Sequence, residues 1–327
     1  MSNFNWGIIG TGGIAHAFAQ DLENVDGHSI RAIGSRTLKR AESFAETIPS
    51  ANAYGNYQEL VNDSAIDAIY VASPHPLHAE HALLALNAGK PVLCEKPFAI
   101  SSNQAQTMID AAKENNVALL EAMWTRYLPH IAQVRMILES GVLGQIQTVE
   151  ADHGQRLADQ NIPRLVDPAL GGGALLDLGI YPVSFAHLIL GAPTRITARA
   201  VMTERGVDAQ TSSIFDYANG AQAIITTTMI AQTPSRAVVS GLLGRLEIDR
   251  TFYNPTDMRV ILFDGTVTQY PNTYSGHGLR EQAIEMARVV RAGLLESPLM
   301  PWSQTIDVMK SMDQIRTQIG LTYPFED

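Results

Sequence analysis

At 327 residues the chain is longer than one hydrophobic core usually serves, so two domains are expected. Asp and Glu outnumber Lys and Arg 33 to 23, a formal net charge of -10, which argues against a general affinity for nucleic acid or anionic lipid. Cys94 is the one cysteine, so an internal disulfide is excluded. A reducing, cytoplasmic setting with neither export nor a membrane partner is expected, since no stretch approaches the roughly 20 uninterrupted apolar residues of a span.

From Asn5 to about Glu121 short apolar runs alternate with amphipathic stretches, the pattern of a parallel sheet covered by helices. Strands are expected at Trp6 to Gly10, Ser29 to Ser35, Ala68 to Ala72, Pro91 to Cys94 and Ala118 to Glu121. Helices are expected at Gly13 to Leu22, Leu38 to Glu46, Ala79 to Ala88 and Asn103 to Asn115, the last capped by Ser101 or Ser102. This gives a doubly wound, Rossmann-type α/β domain over residues 1–121.

The texture then changes to a helix from Leu128 to Ser140 and alternating segments at Ile146 to Gly154, Ile196 to Thr203, Thr211 to Tyr217, Ala221 to Met229, Ala237 to Ser240, Arg245 to Asp249 and Met258 to Leu262. Turn signals at Asn219-Gly220 and Asp264-Gly265 point to a largely antiparallel open sheet with flanking helices, an α+β domain over residues 122–327. Helices are expected near Gly173 to Leu190, Leu279 to Ala292 and Gln304 to Ile319. An open sheet with one face to cover suggests a homo-oligomer, a dimer or tetramer built through it.

Gly10-Thr11-Gly12-Gly13-Ile14-Ala15 is a G-x-G-x-x-A run between an expected strand and helix. Gly10 permits the turn, Gly12 and Gly13 let backbone approach a pyrophosphate, Ile14 flanks it, and Ala15 allows close packing. The helix start offers its free N–H groups to phosphate. At the end of the next strand, where a site for NAD would carry an acid, the chain reads Ser35-Arg36-Thr37-Leu38-Lys39-Arg40. A hydroxyl followed by a guanidinium suits a 2′-phosphate, so NADP is favoured over NAD, with Ser35 and Arg36 as the first contacts.

Ala72-Ser73-Pro74-His75-Pro76-Leu77-His78 follows a strand at the end of a doubly wound sheet where ligands bind, which makes Ser73, Pro74, His75 and His78 candidate cofactor contacts. Histidines at 75, 78 and 81 invite a metal reading, but no carboxylate or cysteine accompanies them, and no metal is expected. Glu95-Lys96-Pro97 follows the next strand, and the proline bars Lys96 from helical geometry. Far downstream, Gly171-Gly172-Gly173 opens a helix on which Asp177 and Tyr181, four apart, share a face.

Taken together, these motifs resemble the Gfo/Idh/MocA oxidoreductase family, with its Rossmann domain, its E-K-P motif and its G-x-x-x-D-x-x-x-[HY] helix. The resemblance spans essentially the whole chain, through Ser275-Gly276-His277-Gly278 and Tyr323-Pro324. Tyr181 and Glu121-Ala122-Met123-Trp124-Thr125-Arg126-Tyr127-Leu128-Pro129 look most like its dihydrodiol and NADP-dependent D-xylose dehydrogenase branch.

The resemblance implies hydride transfer between the nicotinamide and a secondary alcohol or hemiacetal carbon of a sugar, polyol or trans-dihydrodiol. It makes Lys96, Asp177 and Tyr181 catalytic, in a cleft between the domains. Glu95 and Lys96 would also line the cofactor, and Trp124, Arg126, Asp177 and Tyr181 the substrate. Either Tyr181 carries the proton with Lys96 as its electrostatic partner, or Lys96 carries it and Tyr181 donates a hydrogen bond. The competing class is a non-catalytic NADP(H)-binding sensor or scaffold. A short-chain dehydrogenase is excluded, because no tyrosine here has a lysine four residues later.

Overall fold

The computed structural model describes residues 3–49, 51–157, 160 and 162–325. It divides into two compact units, one formed by residues 1–99, 103–127 and 276–305, the other by residues 100–102, 128–275 and 306–327.

The first unit holds strands β1 (Phe4–Ile9), β2 (His28–Gly34), β3 (Asn52–Tyr54), β4 (Ala68–Val71), β5 (Val92–Glu95) and β6 (Leu119–Ala122). They form one sheet in the order β3-β2-β1-β4-β5-β6, with every pairing parallel. Every residue of β4, β5 and β6 is buried, as expected for strands covered on both faces. The strand order reverses between β1 and β4, the point where ligands of open α/β sheets sit. Helices α1 (Gly13–Leu22), α2 (Leu38–Ala45), α4 (His78–Asn87) and α5 (Ser102–Glu114) match the expected segments to within a residue or two. β3 and the short α3 (Tyr57–Val61) are additions. Phe18 of α1 packs edge-on against Trp6 and stacks on Tyr70 with ring centroids 4.0 Å apart. Truncating such a buried ring to alanine costs roughly 3 to 5 kcal/mol.

In the second unit α6 (Pro129–Glu139), β7 (Ile146–Gly154), α7 (Pro163–Val166), a π-helical turn over Leu175–Gly179 and α8 (Ile180–Leu190) precede strands β8 (Arg195–Met202), β9 (Asp208–Asp216), β10 (Gln222–Thr228), β11 (Ala237–Gly241), β12 (Gly244–Ile248), β13 (Met258–Leu262) and β14 (Val267–Tyr270). The sheet runs β14-β13-β12-β11-β7-β10-β9-β8. Only the β7–β10 pair is parallel, and the remainder is antiparallel as expected. Residues along β9 and β10 alternate between buried and exposed, the mark of a sheet with one covered face. α8 packs on that face against β7 and β10. The stretch Pro168–Leu190 is long and apolar enough to cross a bilayer, but 83% of its apolar window is buried inside the protein.

The closing helices are α9 (Leu279–Arg291) and α10 (Trp302–Ile319). α9 packs against α1, so residues 276–305 complete the first unit instead of extending the second, a return that the expected linear boundary at residue 121 does not contain. Asp21 of α1 is the anchor: its Oδ2 accepts from the backbone N–H of Gly278 at 3.0 Å and of Arg280 at 2.9 Å. Leu119 of β6 donates its N–H to the Leu295 carbonyl at 2.9 Å.

Candidate active site

In the first unit, Gly10 ends β1 with φ 110°. A Cβ there would lie 2.6 Å from the Ala72 carbonyl oxygen at the end of β4, so only glycine fits. Beyond it the surface opens, because a Cβ on Gly12 or Gly13 would meet nothing within 4 Å. Gly12 caps α1 without a side chain, and no acid occupies the first turn, leaving the helix N–H groups to an anion. Ser73 is buried and its Oγ has no hydrogen-bond partner. This open glycine cradle beside an unpaired hydroxyl fits a dinucleotide pyrophosphate. Ile14 is partly exposed at its edge.

α2 begins with Lys39 and Arg40 in its first turn and no acid. Cations at a helix N-terminus are unfavourable to the macrodipole, so the arrangement gains from a bound anion. Ser35 is buried, Arg36 exposed, and Tyr57 stands edge-on to His81 with ring centroids 4.6 Å apart. Burial raises the pKa of Tyr57 and lowers that of His81; the nearby Arg36 charge opposes the first shift and adds to the second. This cluster fits a 2′-phosphate.

His78, a candidate cofactor contact, has both ring nitrogens against backbone carbonyls. It is fully buried, with Nδ1 2.8 Å from the Pro97 carbonyl and Nε2 2.8 Å from the Ser73 carbonyl. Burial holds its pKa down at about 4, against the two carbonyls that favour the charged ring. The ring lies between the loop after β4 and the loop after β5; neutral, it donates to one of the two carbonyls, and only the charged ring could donate to both. Its neighbour His75, 5.7 Å away between ring centroids, is half-buried in a 3₁₀ turn beside the exposed Pro74. Among the described residues no group of three His, Cys, Asp or Glu is placed to hold a metal.

Glu95 is likewise internal. The Tyr70 hydroxyl donates to its Oε1 and the Lys96 N–H to its Oε2 at 3.1 Å, so it fixes the end of β5. Lys96 is half-buried and precedes a cis proline. Arg126, expected against substrate, is 1% exposed and donates from Nη1 to Gln304 Oε1 at 2.9 Å. The guanidinium is thus engaged within its own unit, where its charge also acts on the buried Glu121. Trp124 faces His277 with ring centroids 4.9 Å apart.

In the second unit Tyr181 is buried at the start of α8, stacked on Tyr253 at 4.7 Å and edge-on to His153 at 5.3 Å. His153 donates from Nδ1 to the Leu178 carbonyl at 3.1 Å, which leaves Nε2 to accept from Gln155 Nε2 at 2.9 Å. The same Gln155 nitrogen donates to the Tyr253 hydroxyl at 3.0 Å. Sequence reading missed His153, Gln155 and Tyr253; His153 is the penultimate residue of the Ile146 to Gly154 strand, and an imidazole near a strand terminus was the available signal.

Asp177 sits in the π-helical turn, a distortion often found at functional sites, and meets Arg164 with Nη1 to Oδ1 at 3.0 Å. The turn is anchored by a second acid also missed in the sequence. Asp208 Oδ2 accepts from the Leu175 N–H at 2.9 Å and from Thr211 Oγ1 at 2.7 Å. Burial raises its pKa to about 6 against those two hydrogen bonds. Gly173 is required beside it, since a Cβ there would lie 2.3 Å from Asp208 Oδ1.

The family model described as "Oxidoreductase family, NAD-binding Rossmann fold" matches residues 4–123, and the "GFO/IDH/MocA C-terminal domain" matches residues 131–247. A trans-1,2-dihydrobenzene-1,2-diol dehydrogenase of Xenopus laevis is 36% identical over 328 residues, covering 98% of this chain and 99% of that protein. A D-xylose 1-dehydrogenase (NADP(+)) of Hypocrea jecorina is 34% identical, covering 98% and 93%. A 3-ketoreductase from Actinomadura kijaniata, solved with NADP and TDP-benzene, superposes with a TM-score of 0.85 at 29% identity, covering 97% of this chain and 98% of that one. An aldose-aldose oxidoreductase from Caulobacter crescentus shares the fold with a TM-score of 0.87 at 24% identity.

Proposed function

The chain belongs to the Gfo/Idh/MocA oxidoreductase family, and from that premise we propose that it is an NADP-dependent dehydrogenase or reductase acting on a secondary alcohol or hemiacetal carbon of a sugar, polyol or trans-dihydrodiol. NADP supplies the chemistry of hydride acceptance and return at its nicotinamide. Gly10, Gly12, Gly13 and Ser73 hold its pyrophosphate, and Ser35 and Arg36 its 2′-phosphate. The observation that carries the reading is Tyr181: a buried phenol four residues from Asp177, its ring fixed between His153 and Tyr253. A phenol near pKa 10 is a poor base at neutral pH. A nearby cation makes a phenol easier to deprotonate, and Lys96 is assigned as that electrostatic partner from the family resemblance. Tyr181 then takes or returns the hydroxyl proton, and Asp177, held by Arg164, orients the substrate.

The test is nicotinamide absorbance during incubation with NADP and D-xylose, other aldoses or trans-dihydrodiols, for wild type and Tyr181→Phe. Turnover that falls at least a hundredfold in the variant supports the reading. Tight NADPH binding with no turnover of any alcohol or carbonyl tested, in either direction, refutes it.

For quaternary structure we propose a homodimer through the outer face of the second sheet. Ile214 and Ile224 face each other across β9 and β10 and are about 40% exposed in the single chain, and the outer rows of β12 and β13 carry Arg245, Glu247 and Arg259 in ion pairs. Sedimentation equilibrium of wild type and Ile224→Asp checks this; a monomeric wild type at all concentrations rules it out.

A further inference from the structure

Within the second unit alone, the segments that follow β7, β10 and β12 line an open cavity of about 320 Å³ whose wall includes Gln155, Arg156, Thr233, Arg250 and Tyr253. That volume is at the low end of the roughly 300–1,000 Å³ of small-molecule sites, enough for one sugar ring and its substituents. Its chemistry is unlike that of the protein as a whole. The chain carries a net charge of -10, yet the described residues lining this cavity include two arginines and no acid. The rest of the wall is largely amide and hydroxyl, from Gln155, Gln232, Thr233 and Tyr253 among others. Thr233 Oγ1, packed against Gly154, is shielded from solvent and has no hydrogen-bond partner, which costs free energy.

The cavity is joined to the Tyr181 cluster by two of its own wall residues. Tyr253 stacks on Tyr181 with centroids 4.7 Å apart, and Gln155 bonds both the Tyr253 hydroxyl and His153 Nε2. A substrate whose reacting carbon lies at Tyr181 would extend its far end past Tyr253 toward Arg156 and Arg250. Guanidinium groups bind carboxylate and phosphate through paired, charge-assisted hydrogen bonds. A neutral sugar hydroxyl draws far less from them.

We propose that this cavity receives the end of the substrate remote from the reacting carbon, and that it selects a sugar or polyol bearing a carboxylate or phosphate over its neutral counterpart. The placement beside Tyr181 rests on the oxidoreductase reading above; the anion-binding character of the cavity does not.

The experiment compares D-glucuronate and D-glucose 6-phosphate with D-glucose, by kcat/KM with NADP and by calorimetric binding, for wild type and for the Arg156→Gln, Arg250→Gln double variant. Both arginines are exposed, so the fold tolerates the change. The expected result is a kcat/KM at least tenfold higher for one of the two anionic sugars, equivalent to about 1.4 kcal/mol. That preference shrinks with salt and approaches one in the double variant, in step with a tenfold loss of calorimetric affinity. The two anionic sugars tell a carboxylate site from a phosphate site. Turnover of D-glucose with no gain in rate or affinity for either anionic sugar overturns the cavity and leaves the reaction intact. Calorimetric binding of an anionic sugar that is lost in the double variant, without turnover of any of them, supports the cavity and counts against the reaction.

Discussion

Glu121→Gln tests how the first unit tolerates a buried acid. The side chain is 2% exposed, accepts from Thr305 Oγ1 at 2.9 Å through Oε2, and leaves Oε1 without a partner. Burial pushes its pKa from the usual 4.5 up to about 7, with the Thr305 hydrogen bond and Arg126 opposing and Glu95 adding to the rise. Between those two values the folded state binds the proton more tightly than the unfolded chain, so stability falls as pH rises across the window. A shift of about 2.5 units corresponds to about 3 kcal/mol, present in full below pH 4.5 and lost above pH 7. Glutamine lacks the titration. Whatever fixed cost its extra N–H brings, the stability of the variant relative to wild type should increase by about 3 kcal/mol from pH 4.5 to 8. Trp6, Trp124 and Trp302 all lie in the same unit as Glu121, and Trp302 Nε1 bonds the nearby Leu119 carbonyl, so tryptophan fluorescence during urea unfolding follows the right transition. Parallel stability curves for the two proteins across this range would refute the reasoning.

Three further predictions concern the site. Arg36→Gln should weaken NADPH binding at least tenfold while changing NADH binding less than twofold, read by nicotinamide fluorescence titration; equal losses for both would remove Arg36 from the 2′-phosphate. Gly10→Ala places a Cβ 2.6 Å from the Ala72 carbonyl at a positive φ, and should abolish NADPH binding or lower the melting temperature by several degrees; an unchanged Kd and melting temperature would refute the close approach. Gly173→Ala drives a Cβ to 2.3 Å from Asp208 Oδ1 and disturbs the turn bearing Asp177. We expect kcat to fall at least tenfold with NADPH affinity kept, and wild-type kcat would show that the contact relaxes without cost.

What could be read from the sequence was whatever local patterning sets. The glycines at 10, 12 and 13, the Ser35-Arg36 pair and the Asp177/Tyr181 spacing are contiguous signals, and the apolar runs of β4 to β6 declare burial on both faces. Missing were elements too short for a period to register, such as β3, α3 and β14, and roles fixed by distant partners. Nothing near His78 in the chain announces that Pro97 and Ser73 will occupy both its nitrogens. Arg126 reads as a substrate contact in the sequence, and nothing local shows that Gln304, contributed from the far end of the chain, takes its guanidinium. The Tyr181 surroundings were legible in part: Tyr181 stood out, while His153, Gln155 and Tyr253 meet it only through the pairing of β7 with β11 and the packing of α8 on β7.

The return of residues 276–305 to the first unit bears on how this protein comes to be made. A chain emerging in order from its N-terminus completes all six strands of the nucleotide-binding sheet by residue 122, but Asp21 then has no Gly278 or Arg280 N–H to accept from. Its carboxylate would face water, and the α1 surface meant for α9 would stay bare, while more than 150 residues are still to be synthesised. Joining the two ends closes a long loop, which slows folding more than it weakens the final state. Synthesis halted at residue 127 should thus yield a sheet with an exposed apolar flank and a need for chaperone cover, and the nucleotide-binding unit should acquire its full resistance to proteolysis only when residue 305 has been added.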